Sequence, residues 1–214
     1  MKTVLSLLPV TCHSSPFTAF MLSTLLELQR LKRLDRTGWV LRGLAPGAES
    51  VAAHSYGVAF AAMLLADEVR ARGVAVDVER VLRLALLHDV AEARTGDMPR
   101  TMALYYGAPA RRAAERAAFD DMMRGLDKRR STDYSALHAD YEERASVEAR
   151  LVKAADVIDL LSQALVFERA GARELEEFWE GARERDFGLA GAAREAVGEL
   201  IDALVAAREE LRRT

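Results

Sequence analysis

The chain has 214 residues, with 30 Lys and Arg against 33 Asp and Glu and a formal net charge of -3. The two signs are interspersed, so no basic tail or stripe marks a nucleic-acid face, although a small basic pocket for an anionic metabolite stays open. Half of the residues are hydrophobic, enough for a sizeable core, and the single cysteine, Cys12, excludes an internal disulfide framework.

Ala, Leu, Glu and Arg dominate and only five prolines interrupt the chain, which predicts an all-α fold. Residues 1–15 read as a loosely ordered lead-in, and 16–214 as one domain without repeats or a splitting linker. Met1–Pro9 places a short apolar run after one lysine. Pro9 breaks that run and no small-x-small cleavage site follows, so a signal peptide is not expected. A cytoplasmic setting fits, and no stretch approaches the roughly 20 apolar residues of a membrane span.

From Phe17 to Leu34 apolar residues recur at helical spacing, among them Phe20, Leu22, Leu25, Leu26, Leu28 and Leu31. Asp35–Gly47 reads as a glycine-rich loop that carries Arg36, Trp39 and Arg42, residue types that line ligand sites. Ser50 can cap a helix running to about Arg72, with His54 one turn in. Asp77 caps the next, which ends in the adjacent pair His88-Asp89; Glu92 follows four residues after His88 on the same predicted face, and then the turn Thr95-Gly96-Asp97. Pro99 can open a short helix, and Gly107-Ala108-Pro109 separates it from a charged helix near Ala110–Leu126. Another segment starts at Ser131–Asp133 and ends near Arg144. Ser146 opens a long helix, about Val147–Arg169, with Asp156 in its apolar middle. A short piece near Leu175–Trp179 and an amphipathic helix from about Gly191 to Arg212 close the chain.

An apolar helix tolerates ionisable groups poorly unless something offsets their burial. A divalent ion does so, since it takes neutral imidazole and carboxylate as ligands. His54, His88, Asp89 and Asp156 come from three predicted helices and could meet as one such site. His88 and Asp89 diverge by about 100° in mid-helix, so both reach one ion only at a helix end. The donor set suits manganese, iron, cobalt, nickel or zinc, and leaves positions for water and substrate, as metal-assisted hydrolysis requires. Each residue has a plainer reading: His54 as a core histidine, Asp156 as an ion pair with Lys153 one turn earlier, Glu92 as a solvated helix end, Trp39 as a core anchor.

The pattern His54, His88-Asp89, Asp156 resembles the HD-domain phosphohydrolases. The stretches RTGWVLRG (36–43), ESVAAHSYGVA (49–59), LLHDVAEARTGDMP (86–99) and SVEARLVKAADVIDLL (146–161) resemble the 5′-deoxynucleotidase subfamily. That resemblance implies a compact HD-domain helical bundle with a mononuclear metal site between helices. It also implies a homodimer that hydrolyses deoxyribonucleoside 5′-monophosphates to deoxyribonucleosides and phosphate. By position, His54, His88, Asp89 and Asp156 match the metal ligands, and Glu92 and Asp97 the catalytic acids. Trp39 with a nearby arginine matches the discriminator against the ribose 2′-hydroxyl. Thr37-Gly38 separate Arg36 from Trp39, so Arg42 competes for the phosphate-binding role. We assign Glu92 as the acid for the departing 5′-oxygen and Asp97 as the group positioning water. An HD phosphohydrolase for a nucleoside triphosphate, cyclic nucleotide or alarmone is the nearest rival, though no histidine-rich motif follows the His-Asp pair. A non-catalytic regulatory HD fold is the other, and no ligand is lost.

Overall fold

A computed structural model describes residues 15–213, and those residues form helices with one isolated antiparallel bridge, Asp35 to Ser50, in place of a sheet. The lead-in and Met1–Pro9 lie outside the described residues, apart from Ser15, whose side chain accepts from the Thr18 N–H and caps α1 (Pro16–Leu28). A 3-10 turn, Gln29–Lys32, continues it. Then come α2 (Thr37–Val40), α3 (Val51–Ala71), α4 (Val78–Leu87), α5 (Glu92–Thr95) and α6 (Ala103–Met122), which is broken at Gly107 (φ 75°) where the sequence predicts a separation. The chain ends with α7 (Lys128–Glu143), α8 (Val147–Arg169), α9 (Glu176–Trp179) and α10 (Gly191–Leu211). No helix among the described residues is long and apolar enough to cross a membrane.

Ser50, Asp77 and Ser146 cap α3, α4 and α8 as the sequence predicts, each accepting from a backbone N–H three residues on. These three helices pack together, and α10 closes the bundle against α8 and α3. Val58, Ala62, Leu65 and Val69 of α3 meet Leu84 of α4 and Leu151, Ala155, Ile158 and Leu161 of α8 in the main core. Each large aliphatic side chain buried here contributes about 1.5–3 kcal/mol. Val197 and Ile201 commit α10 to that core. A smaller cluster of Leu31, Val51, Val90, Phe119, Met122 and Met123 fixes α6 beside the start of α3.

Four expectations change. The apolar spacing of α1 does not bury it: none of its residues is buried, and Leu22, Leu25 and Leu26 are exposed. The 35–47 loop contains α2. The segment placed at Ser131 begins at Lys128, because Asp127 accepts from the Arg130 N–H and supplies an earlier cap. Glu92 is not on the face of α4, which ends at Leu87, but opens α5.

Asp140 ties three helices together near the site. It accepts from Arg80 of α4 at 2.6 Å and from the Ser146 N–H at 2.8 Å and hydroxyl at 2.6 Å, ahead of α8. Burial opposes its charge, but these donors prevail and hold its pKa below the ordinary carboxylate value. The folded protein therefore binds its proton less tightly than the unfolded chain, so the contribution is present above about pH 4 and fades as pH falls through the lowered pKa. Asp140→Asn should cost about 2 kcal/mol at pH 7, lowering Tm by roughly 4–8 °C. The gap from wild type, measured by calorimetry, should narrow from pH 5 towards pH 3.

Candidate metal centre

The site forms where α4 stops. His88 is its C-cap residue, and the chain tightens into a turn in which Val90 N–H donates to Leu87 and Glu92 N–H to Asp89. These bonds span three residues, as in a 3-10 turn, which frees His88 and Asp89 from the α-helical spacing. Asp89 Oδ2 lies 3.1 Å from His88 Nε2 and 3.7 Å from His54 Nε2. Asp156 Oδ1 approaches His54 Nε2 to 3.3 Å from α8. The four predicted residues therefore converge, and one donor atom each of His54, His88 and Asp89 falls within 4.8 Å of the others.

Both imidazoles have their outer nitrogens engaged. His88 Nδ1 lies 2.6 Å from the Ala85 carbonyl, and His54 Nδ1 lies 2.8 Å from Asp159 Oδ2. A carbonyl only accepts, so His88 Nδ1 carries the proton and Nε2 its lone pair. The Nε2 atoms of both histidines are buried without an aligned hydrogen-bond partner. Two such orphans facing two carboxylates fit a divalent cation, which accepts what these groups offer.

Burial opposes charge on Asp89, but His88, Arg36 and His54 hold its carboxyl well below the usual range. Lys153 and His54 do the same for Asp156 against its burial. For His54, burial disfavours charge, yet Asp156 and Asp159 outweigh it and push the pKa up to about 9. Lys153 does pair with Asp156, at 2.6 Å, but through Oδ2, which leaves Oδ1 towards the centre. Tyr141 donates to the same Oδ2 at 3.3 Å and packs its ring edgewise on His88.

Glu92 is buried beside this cluster with Oε2 unpartnered. Burial, Asp89 and Asp97 push its pKa up to about 10. Asp97 is held by the 36–37 segment: Oδ1 accepts from Arg36 at 3.1 Å, Oδ2 from the Thr37 N–H, and its carbonyl from the Thr37 hydroxyl at 2.7 Å. Arg36 also reaches Asp89 at 3.5 Å. Arg42 instead pairs with Glu177. Trp39 is 1% exposed, donates to Glu49 Oε2 at 2.5 Å, and packs against Phe167 and Phe178. Four residues outside the predicted set, Glu49, Gly57, Tyr141 and Asp159, also pack around the centre. Only Asp159 carried a signal, since a residue three after Asp156 shares its helix face.

A family profile described as HD domain matches residues 28–186, which include every residue of this centre. The 5'-deoxynucleotidase HDDC2 of Xenopus laevis is 33% identical over 159 residues, 70% of this chain and 71% of the relative. The 5'-deoxynucleotidase YGK1 of Saccharomyces cerevisiae is 30% identical over 169 residues, 77% of this chain and 75% of the relative. Among solved structures, a conserved hypothetical protein from Pyrococcus furiosus superposes with a TM-score of 0.72 at 35% identity, covering 90% of this chain and 99% of that one. A Pyrococcus horikoshii protein does so with a TM-score of 0.74 at 33% identity, covering 87% and 99%.

Proposed function

Because the chain belongs to the HD-domain family, we propose that it is a metal-dependent phosphomonoesterase that converts deoxyribonucleoside 5′-monophosphates to deoxyribonucleosides and phosphate. The observation that carries this reading is the pair of orphaned Nε2 atoms turned towards Asp89 and Asp156. His54, His88, Asp89 and Asp156 would hold one divalent transition metal, manganese, iron, cobalt, nickel or zinc by donor chemistry. When bound, that ion supplies Lewis-acid polarisation of the phosphoryl group and acidifies water.

The chain's own groups divide the remaining work. Arg36, beside Asp89 and Asp97, would neutralise charge developing on the phosphoryl oxygens, and Arg42, paired with Glu177, competes for that role. Glu92 keeps an unpartnered oxygen and a raised pKa, so it is the group able to give a proton to the departing 5′-oxygen. Asp97 was expected to position water. Each of its oxygens accepts one bond from the 36–37 segment and keeps a further lone pair that could hold water. Trp39 is buried and held by Glu49, so it would shape the deoxyribose pocket through the 36–40 segment it anchors rather than by touching the sugar.

A cytoplasmic setting fits the nucleotide substrate of the proposed reaction. A homodimer would have an apolar face available at Tyr56, Phe60 and Leu64, exposed at successive turns of α3. The test of function is phosphate release from dAMP, AMP, dATP and a cyclic dinucleotide, each with Mn2+, Co2+ and Mg2+. Release from dAMP should exceed that from AMP by up to about a hundredfold, the limit for rejecting a hydroxyl by apolar packing. Equal rates on dAMP and AMP would remove Trp39 from substrate selection, and turnover confined to dATP or the cyclic dinucleotide would overturn the reading.

A further inference from the structure

Asp159 lies one turn beyond Asp156 on α8, so the helix presents two carboxylates to His54, one towards each ring nitrogen. Asp159 Oδ2 stands 2.8 Å from Nδ1, in hydrogen-bond alignment. The imidazole is 1% exposed, shut away from bulk solvent. Its surroundings must therefore fix which nitrogen keeps the lone pair.

The packing of α3 on α8 makes room for this contact at one point. A Cβ at Gly57, one turn after His54, would sit 2.0 Å from Asp159 Oδ1 and 2.7 Å from its Cγ. Gly57 is inside α3 with ordinary helical backbone, so conformational freedom does not call for glycine there. Alanine would favour the helix by roughly 1 kcal/mol. What glycine provides is the space that the Asp159 carboxylate fills. Glu49, His54 and Asp159 are also close enough to bracket an ion, but Glu49 Oε2 is bonded to Trp39 and His54 Nδ1 to Asp159.

We propose that Asp159 is a positioning residue of the metal centre: it accepts the His54 Nδ1–H, fixes the Nε2 lone pair towards the ion, and depends on the absence of a side chain at Gly57. The inference rests on the metal reading above. It adds a residue that touches neither ion nor substrate, and an apparently unrelated glycine whose role is the same.

The experiment is titration of metal-free protein with Co2+, read by its visible absorption, with thermal unfolding of the metal-free proteins alongside. Asp159→Ala should weaken Co2+ binding by about 10–100-fold, the usual effect of losing such an outer partner. Asp159→Asn keeps an acceptor for Nδ1–H and should recover most of that loss. Gly57→Ala should weaken binding to the same extent as Asp159→Ala. Added to Asp159→Ala, it should change affinity by less than about twofold, because the carboxylate it displaces is gone. Unchanged Co2+ affinity in Asp159→Ala, or fully additive losses in the double variant, would overturn the inference while leaving the metal centre standing. Wild-type protein that takes up no Co2+ would overturn both. A fall in metal-free Tm that accounts for the loss of binding would reduce Asp159 to a structural contact and overturn it too.

Discussion

An Asp89→Ala protein should lose phosphate release from dAMP by on the order of 10³-fold or more, and should no longer retain a stoichiometric divalent ion. Asp89 Oδ2 is the atom that both imidazoles and Arg36 approach, at 3.1, 3.7 and 3.5 Å. Its removal takes a charge-bearing donor from the set and leaves the two Nε2 atoms facing one carboxylate instead of two. Lewis-acid assistance is worth several kcal/mol, and each 1.36 kcal/mol is tenfold in rate, which sets the size of the loss. Little structure should be lost with it, because the side chain is at a helix end and outside both apolar clusters. Metal content by mass spectrometry, kcat on dAMP and the far-UV spectrum separate these effects. Retention of full activity would remove the metal site from the mechanism.

Glu92→Gln should lower kcat by about 10²–10⁴-fold while the protein still binds its metal. The substitution keeps the shape of the side chain and removes its exchangeable carboxyl proton. Glu92 is suited to that proton because burial and the neighbouring Asp89 and Asp97 push its pKa up to about 10. A group that merely packed would tolerate the amide, and kcat would fall by no more than a few fold. A substrate with a better leaving group than a 5′-alkoxide should narrow the gap between Glu92→Gln and wild type, since it needs less help from an acid. If the gap persists unchanged, Glu92 does not protonate the leaving group.

The parts of this molecule that were legible beforehand are those set by local rules. Ser50, Asp77 and Ser146 announce their helices because a side-chain oxygen next to free N–H groups is a short-range event. His54, His88, Asp89 and Asp156 stood out because ionisable groups on apolar helices ask for compensation. What stayed hidden depends on neighbours distant in sequence. The leucines of α1 have helical spacing, but periodicity does not reveal whether another surface arrives to cover them. Gly57 looks like an ordinary weak spot in a helix until Asp159, 102 positions later, is found against it. Asp97 matches a catalytic acid by position, but its bonds to Arg36 and Thr37 exist only because the fold brings 36–37 beside it.

The antiparallel bridge between Asp35 and Ser50 separates two design problems. Leu34 accepts from the Val51 N–H at 2.8 Å, and the Arg36 N–H donates to Glu49 at 3.0 Å, so the stretch between is tied at its two ends. Closing a longer loop is cheap, roughly 0.6 kcal/mol for each doubling of its length. The knot therefore sets where Arg36 stands relative to the start of α3, and added length between its ends need not move either. For an engineer, Leu34–Arg36 and Glu49–Val51 are the part to leave alone, and bound metal is the check that residues inserted between them have not disturbed the centre.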